Sequence, residues 1–337
     1  MPPPSKLKLY SAFAALYVIW GSTYLGIRYA IETLPPLIMA GVRFLMAGAV
    51  LYTFLRVRGE ERPSAAQWKA ALIVGTLLLL GGNGAVVWAE QRVPSGIAAL
   101  LVATLPLWMV TLESLRKGGK RPSAGVMAGL VLGILGLVIL IGPGELAGGR
   151  RVDLLGAGVL LLGSFSWASG SIYSRSAPAP SNPFLASAMQ MLSGGAALIF
   201  GGAIRGELAA LDSFEPSLKS VLSFFYLVIF GSLVGFTAYI WLLRVSTPAK
   251  VATYAYVNPV VAVILGWALA NEPLTSRTLM AAAVIVGAVA LITTARSTRG
   301  EELGVTGERR VPDDIRLASG PVAAPSRSAA EPAEADR

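Results

Sequence analysis

Long apolar runs, separated by short polar or proline-containing pieces, make up most of the chain. A membrane-spanning helix needs about 20 mostly apolar residues, rising about 1.5 Å each, to cross about 30 Å of hydrocarbon. Ten runs meet that requirement, near residues 9–30, 36–55, 67–89, 94–114, 122–142, 153–174, 183–204, 219–243, 248–270 and 274–295. Pro35, Pro36, Pro63, Pro94, Pro122, Pro183, Pro248 and Pro273 stand at or near predicted helix starts, where a missing N–H costs little. Lys6 and Lys8 precede the first run as they would in a signal peptide. That run is as long as a full span and shows no small-residue cleavage site, so it reads as an uncleaved first helix. From residue 300 onward Ala, Pro, Ser, Glu and Arg replace the apolar pattern, which predicts a disordered cytoplasmic tail over 300–337.

The pattern occurs twice. Trp20, Ser22, Arg28, Pro36, Arg43 and Gly48 return 147 residues later as Trp167, Ser169, Arg175, Pro183, Gln190 and Gly195. Only Arg43 changes, and Gln190 also donates hydrogen bonds. Arg92-Val93 and Pro106 are answered by Arg244-Val245 and Pro259 at an offset of 152 to 153. Each copy therefore holds five predicted helices, 9–142 and 153–295. Five is odd, so the second copy enters the membrane from the opposite side. The predicted fold is an all-α polytopic membrane protein with ten transmembrane helices in two inverted repeats, an arrangement that places a substrate site near the midplane between the halves.

Composition supports lipid as the solvent. Of 337 residues 54% are hydrophobic and 14% are charged, against roughly a quarter charged in soluble domains. Cysteine and histidine are absent, which removes disulfides, thiol chemistry and histidine-based metal or base chemistry. The net charge of +9 is spread over short loops rather than gathered in one patch, so no nucleic acid is expected. With a cytoplasmic N-terminus, fifteen loop Lys and Arg residues fall inside and seven outside, tail excluded, so both ends are expected in the cytoplasm.

Arg43 lies about seven residues into the second predicted helix, between Val42 and Phe44. A charge there is costly, so it should face a polar interior. It reads either as a counter-charge for an anionic group of a substrate or as a structural partner for a carbonyl or hydroxyl. Gln190 takes the equivalent place. Trp20, Tyr24, Trp88, Trp108, Trp167, Tyr254 and Tyr256 are candidate cavity walls, against the alternative of interfacial anchors, which Trp88 and Trp241 beside Arg92 and Arg244 fit better. Asn258 precedes Pro259, which like Pro106 falls inside a predicted helix. Each proline frees a carbonyl and kinks the helix, a candidate hinge. Asn83, among Gly81, Gly82 and Gly84, reads as helix packing. Glu90 and Arg92 read as loop residues, and Glu113 as the surface partner of Arg116. No phosphate loop, metal cluster or catalytic triad is present, and no cofactor is expected.

Four stretches carry a resemblance: Trp20-Gly21-Ser22, Arg92-Val93-Pro94-Ser95-Gly96 leading to Pro106, Tyr256-Val257-Asn258-Pro259, and Asn271-Glu272-Pro273-Leu274. On these the chain resembles the EamA-type drug/metabolite transporter superfamily, in its YedA-like exporter branch, over about residues 8–295. Gly119 stands where the first copy would repeat Glu272, which departs from the family pattern. The resemblance implies export of small metabolites or drugs across the bacterial inner membrane. The expected partners are a small organic solute and the lipid bilayer, with homodimer formation left open. A non-transporting membrane scaffold or receptor, and a membrane-embedded lipid enzyme, are the alternatives. Proton coupling, exchange and facilitated diffusion are all left open as driving modes.

The orientation is directly testable. Reporter fusions after Arg58 and after Lys120 should report cytoplasm, and one between Gly144 and Arg150 the far side. A reversal at any of the three contradicts the topology.

Overall fold

A computed structural model describes residues 6–115, 123–141, 153–209, 215–245 and 254–307. Contacts group Met1–Ser297 into one compact unit and Thr298–Arg337 into another. Among the described residues the secondary structure is helical, in ten successive elements. These are α1 (Lys6–Ala30), α2 (Pro36–Val57), α3 (Ala65–Ala89), α4 (Ser95–Leu115), α5 (Ala124–Ile141), α6 (Leu154–Ser174), α7 (Pro183–Ile204), α8 (218–245), α9 (Tyr254–Ala270) and α10 (Ser276–Gly307). Consecutive helices run in opposite directions. One end of the bundle, the Ala30 end, gathers the finish of α1, α3, α7 and α9; the other is the Lys6 end. Large apolar side chains such as Val18, Phe54, Ile134, Phe200 and Trp267 are exposed on the outside. In lipid they need no cover, which is why the core beneath them is built instead from small residues and a few large ones such as Phe44, Leu100 and Met189.

The inverted repeat is visible in matching local devices. The third helix of each copy widens into π turns, over Thr76–Asn83 in α3 and Leu227–Val234 in α8. Each begins on a serine cap: Ser64 Oγ accepts from Gln67 N, and Ser217 Oγ from Ser220 N. α2 ends in Arg58-Gly59-Glu60 and α7 in Arg205-Gly206-Glu207, again 147 residues apart. Gly59 and Gly206 take φ of +89° and +78°, the left-handed stop that glycine supplies cheaply. Each turn throws its glutamate onto the start of the other copy's helix. Glu207 Oε2 accepts from Leu37 N at 2.9 Å and Ile38 N at 3.0 Å, meeting the free N–H groups and positive dipole end of α2. Glu60 Oε1 accepts from the side chain of Asn182, which caps α7 through Phe184 N.

α2 and α7 themselves cross with backbones touching. A Cβ placed on Gly41 would lie 2.9 Å from Gly195 O, and one on Gly195 would lie 2.9 Å from Gly41 O. A Cβ on Gly48 would come to 3.1 Å from Ala188 O. Because 41 and 48 correspond to 188 and 195 in the repeat, the two contacts are copies of one another. This seam is therefore the pseudo-twofold contact between the halves.

α4 is interrupted. Its first segment ends at Val102 and the second starts at Leu105, with Thr104 Oγ1 turned back to Leu101 O at 2.7 Å. Pro106 sits just inside the second segment, where it has no N–H to lose. In α9, Pro259 stays inside one continuous helix. Loop residues at Pro122, Pro143, Pro248 and the chain beyond Gly307 lie outside the described residues.

Gly195→Leu should disrupt the seam. Its side chain meets backbone rather than a flexible side chain, so a loss of about 1–3 kcal/mol and a lower melting temperature in detergent are expected. Gly158→Ala, with open space around the added methyl, should melt at or above the unmodified protein. Equal melting of both variants would contradict the packing described.

Candidate functional site

Between the halves lies a cavity lined by both copies, whose roughly 800 Å³ of non-atom space runs into open solvent. The first copy lines it with Trp20, Thr23, Tyr24 and Ile27 from α1, Arg43 and Phe44 from α2, Gly82, Asn83 and Val86 from α3, and Val102 and Leu105 from the α4 interruption. The second copy adds Gly163, Ser164 and Trp167 from α6, Gly231 from α8, and Tyr254 and Asn258 from α9.

Arg43 is 3% exposed. Its Nε donates to Ser232 Oγ at 2.9 Å, and its guanidinium lies 4.6 Å from the Phe44 ring. Nη1 is buried with no hydrogen-bond partner. The π turns of α8 explain how the guanidinium fits. They bring Gly231 against it, so that a Cβ there would be 3.1 Å from Nη2. Two further lining atoms, Asn83 Oδ1 and Ser164 Oγ, are also buried without partners. The cavity thus holds a cationic donor, an amide acceptor and a hydroxyl, all unsatisfied, in an otherwise apolar and aromatic wall. Buried polar atoms are normally paired, so three orphans on residues that line one space point to a ligand or water that completes them.

Trp20 is held in place. Its Nε1 donates to Gly231 O at 3.2 Å, and its ring packs on Tyr239 and Tyr254 with centroids 5.2 and 5.1 Å away. Trp167 presses against Gly82, where a Cβ would come to 2.7 Å from Cε3. Asn258 faces the carbonyls of Tyr17 and Tyr254 at 3.2 and 3.3 Å, and donates to both through its amide nitrogen. It ties α9 to α1 beside Pro259.

Six of the residues singled out in the sequence as site candidates therefore meet at one cavity: Trp20, Tyr24, Arg43, Trp167, Tyr254 and Asn258. Gln190 does not join them. It lines a second, smaller space with Gln67, Ser174 and Met189, because α7 turns that face toward α3 just as α2 turns Arg43 toward α8. The side chain of Tyr256 lies outside the described residues. Pro106 and Pro259 flank the walls without lining them. Asn83 is a lining residue as well as a packing one. Thr23 and Ser164 carry no sequence signal beyond lying one turn from a duplicated tryptophan. Glu113 pairs with Arg175 at 3.0 Å, while Arg116 lies outside the described residues. Arg92, half-exposed, pairs with Asp153 at 3.5 Å. Glu90 does stand in the turn after α3, but it is 0% exposed, because α1 folds over it, with Arg28 Nη1 donating to Glu90 O at 2.8 Å.

Comparison with known proteins agrees with this architecture. Residues 8–142 and 154–294 each match the EamA-like transporter family. The uncharacterized inner membrane transporter YedA of Escherichia coli K12 is 45% identical over 289 residues, covering 85% of this chain and 91% of YedA. A probable amino-acid metabolite efflux pump of the same strain is 25% identical over 295 residues, covering 80% of this chain and 89% of the pump. A crystal structure at 20% identity superposes with a TM-score of 0.58, covering 88% of this chain and all of that one, and so shares the fold. Two matched repeats, the close relatives and the lipid-facing helical bundle agree: this chain is a membrane transporter and belongs to the EamA-like transporter family.

Proposed function

We propose that the protein exports small organic solutes bearing one anionic group, by rocking its two inverted halves about the central cavity. The observation that carries this reading is Arg43 Nη1, a buried charged donor with no hydrogen-bond partner, on a residue that lines that cavity. An unpaired arginine at mid-membrane costs at least about 2.5–3.5 kcal/mol. A solute carboxylate removes that cost only while it is bound, so the binding energy goes to the anion. Asn83 Oδ1 and Ser164 Oγ suit an amine or hydroxyl on the same solute, and Trp20, Tyr24, Phe44 and Trp167 suit its apolar body. Zwitterionic or amphiphilic metabolites of amino-acid size fit this set. The related efflux pump, whose description names amino-acid metabolites, supports that class and the outward direction.

The conformation is read as closed toward the Ala30 end. Lys219 pairs with Glu32 at 2.5 Å, Ser220 Oγ donates to Tyr29 O at 2.8 Å and Ser217 N donates to Thr33 Oγ1 at 3.1 Å, each bridging the halves. With both termini in the cytoplasm the Ala30 end is extracytoplasmic; at the Lys6 end Glu113–Arg175 and Glu60–Asn182 bridge the halves as well. The α4 interruption before Pro106 and the kink at Pro259 are the hinges. No nucleotide-binding motif is present in the sequence, so transport is secondary.

A solute screen in proteoliposomes, followed by Arg43→Gln, tests the reading. The variant keeps a polar group of the kind found at Gln190. Transport of anionic and zwitterionic solutes should fall about tenfold to a hundredfold, the worth of a hydrogen bond to a charged group. Yield and melting temperature should hold or rise, because an uncompensated buried charge has gone. Full transport at normal yield would defeat the role of Arg43, and equal losses of yield and transport would make it structural.

A further inference from the structure

The sequence offered no central carboxylate for proton coupling, but the fold builds a buried one. Glu90, the first residue past α3, is 0% exposed, and neither Oε1 nor Oε2 has a hydrogen-bond partner. The nearby cation does not satisfy it: Arg28 of α1 spends Nη1 on the backbone carbonyl of Glu90. A second carboxylate acts on it from the other half. Glu272, following α9, is held by Ser95 N at 2.7 Å and Gly96 N at 3.1 Å, at the start of α4. Ser95 Oγ is buried and unpartnered as well. The groups whose charge or hydroxyl acts on Glu90 are thus Tyr24 and Arg28 from α1 and Glu272 beyond α9. On its own side Arg92 is engaged with Asp153.

A carboxylate cannot be buried cheaply without donors, whereas a neutral carboxylic acid can. Burial first, then Glu272, push the Glu90 carboxyl well above the usual carboxylate range, and Arg28 pulls the other way. Opening the Ala30 end would carry α9 and Glu272 away from α1 and α3 and let water reach Glu90, returning it toward an ordinary acid.

We propose that Glu90 is a proton-binding site that latches the Ala30 end of the cavity, neutral when that end is closed and ionised when it opens. The closed state binds one more proton than the open one. By linkage, closure is favoured at low pH and lost as pH rises through the raised pKa of the closed state. The proton is taken up from the side toward which the Ala30 end opens. This rests on the alternating-access reading for its consequence in transport, but not for its test.

Infrared spectroscopy of the full-length protein in liposomes observes a protonated carboxylic acid directly. At neutral pH, above the usual carboxylate range, the unmodified protein should show its C=O band, and Glu90→Gln should lack that band. Spin labels on cysteines introduced at Thr33 and Leu274, both at the Ala30 end, read closure independently of any solute. The short-distance population should fall as pH rises in the unmodified background, and should stay closed across the same range in Glu90→Gln. No protonated band at neutral pH, or a band that survives Glu90→Gln, overturns the proposal. So does a distance that follows sodium rather than pH, which would make the pair of carboxylates a cation site. If Glu90→Gln fails to fold, Glu272→Gln serves instead: it removes the neighbouring charge, so the Glu90 band should disappear at a lower pH than in the unmodified protein, and an unchanged titration contradicts the proposal. A pH-dependent latch with no solute transport would leave this inference standing and defeat the transport reading alone.

Discussion

The touching backbones of α2 and α7 set everything else. Where Gly41 meets Gly195 and Gly48 meets Ala188, no side chain keeps the helices apart. In lipid, where there is no hydrophobic drive between helices, close van der Waals contact of this kind is what holds a bundle together. Because the contact is copied by the repeat, it lies on the pseudo-twofold axis and fixes how far apart the halves stand. Glu60 and Glu207 then bind it at both ends, each leaving one copy to cap a helix of the other. The rest of each half is free to diverge around that axis.

The divergence is where function enters. Arg43 and Gln190 occupy equivalent positions on the two seam helices, yet only Arg43 turns into the large cavity. Its guanidinium is accepted there by one hydroxyl and one ring, and left open at Nη1. A fully paired arginine would have been more stable and would have had nothing to offer an anion. The same logic applies to Glu90 at the Ala30 end, a carboxyl buried without donors. Both groups place an unmet electrostatic demand inside a low-dielectric bundle, and the two proposals give each a small mobile partner, a solute anion for Arg43 and a proton for Glu90.

The ten spans were legible because hydrocarbon thickness dictates their length and little else in the sequence competes with that signal. Repeat and inversion followed from the 147-residue offset and an odd helix count. That offset also runs through Arg58-Gly59-Glu60 and Arg205-Gly206-Glu207, a signal present but passed over, since loop glutamates ordinarily mean solvent. Six cavity residues were found because tryptophan, tyrosine, asparagine and arginine are conspicuous in apolar helices. Ser164 and Thr23 were not, because small hydroxyl residues pack silently in membrane helices. Gln190 was placed with Arg43 by symmetry, and symmetry alone does not say which neighbour a helix face meets. The π turns of α3 and α8 left no trace in the apolar pattern, though they decide where Gly231 and Asn83 point. Glu90 was hidden for a different reason: its burial comes from α1 folding over the end of α3, a long-range contact that no local pattern carries.

The absence of native cysteine makes the central claim, passage of solute between two rocking halves, open to one direct measurement. Thr33 and Ser217 face each other across the halves at the Ala30 end, with Ser217 N 3.1 Å from Thr33 Oγ1, so paired cysteines at these positions are close enough to bridge. With the disulfide formed quantitatively in proteoliposomes, solute transport should stop, and reduction should restore it. Undiminished transport through the cross-linked protein would contradict the account.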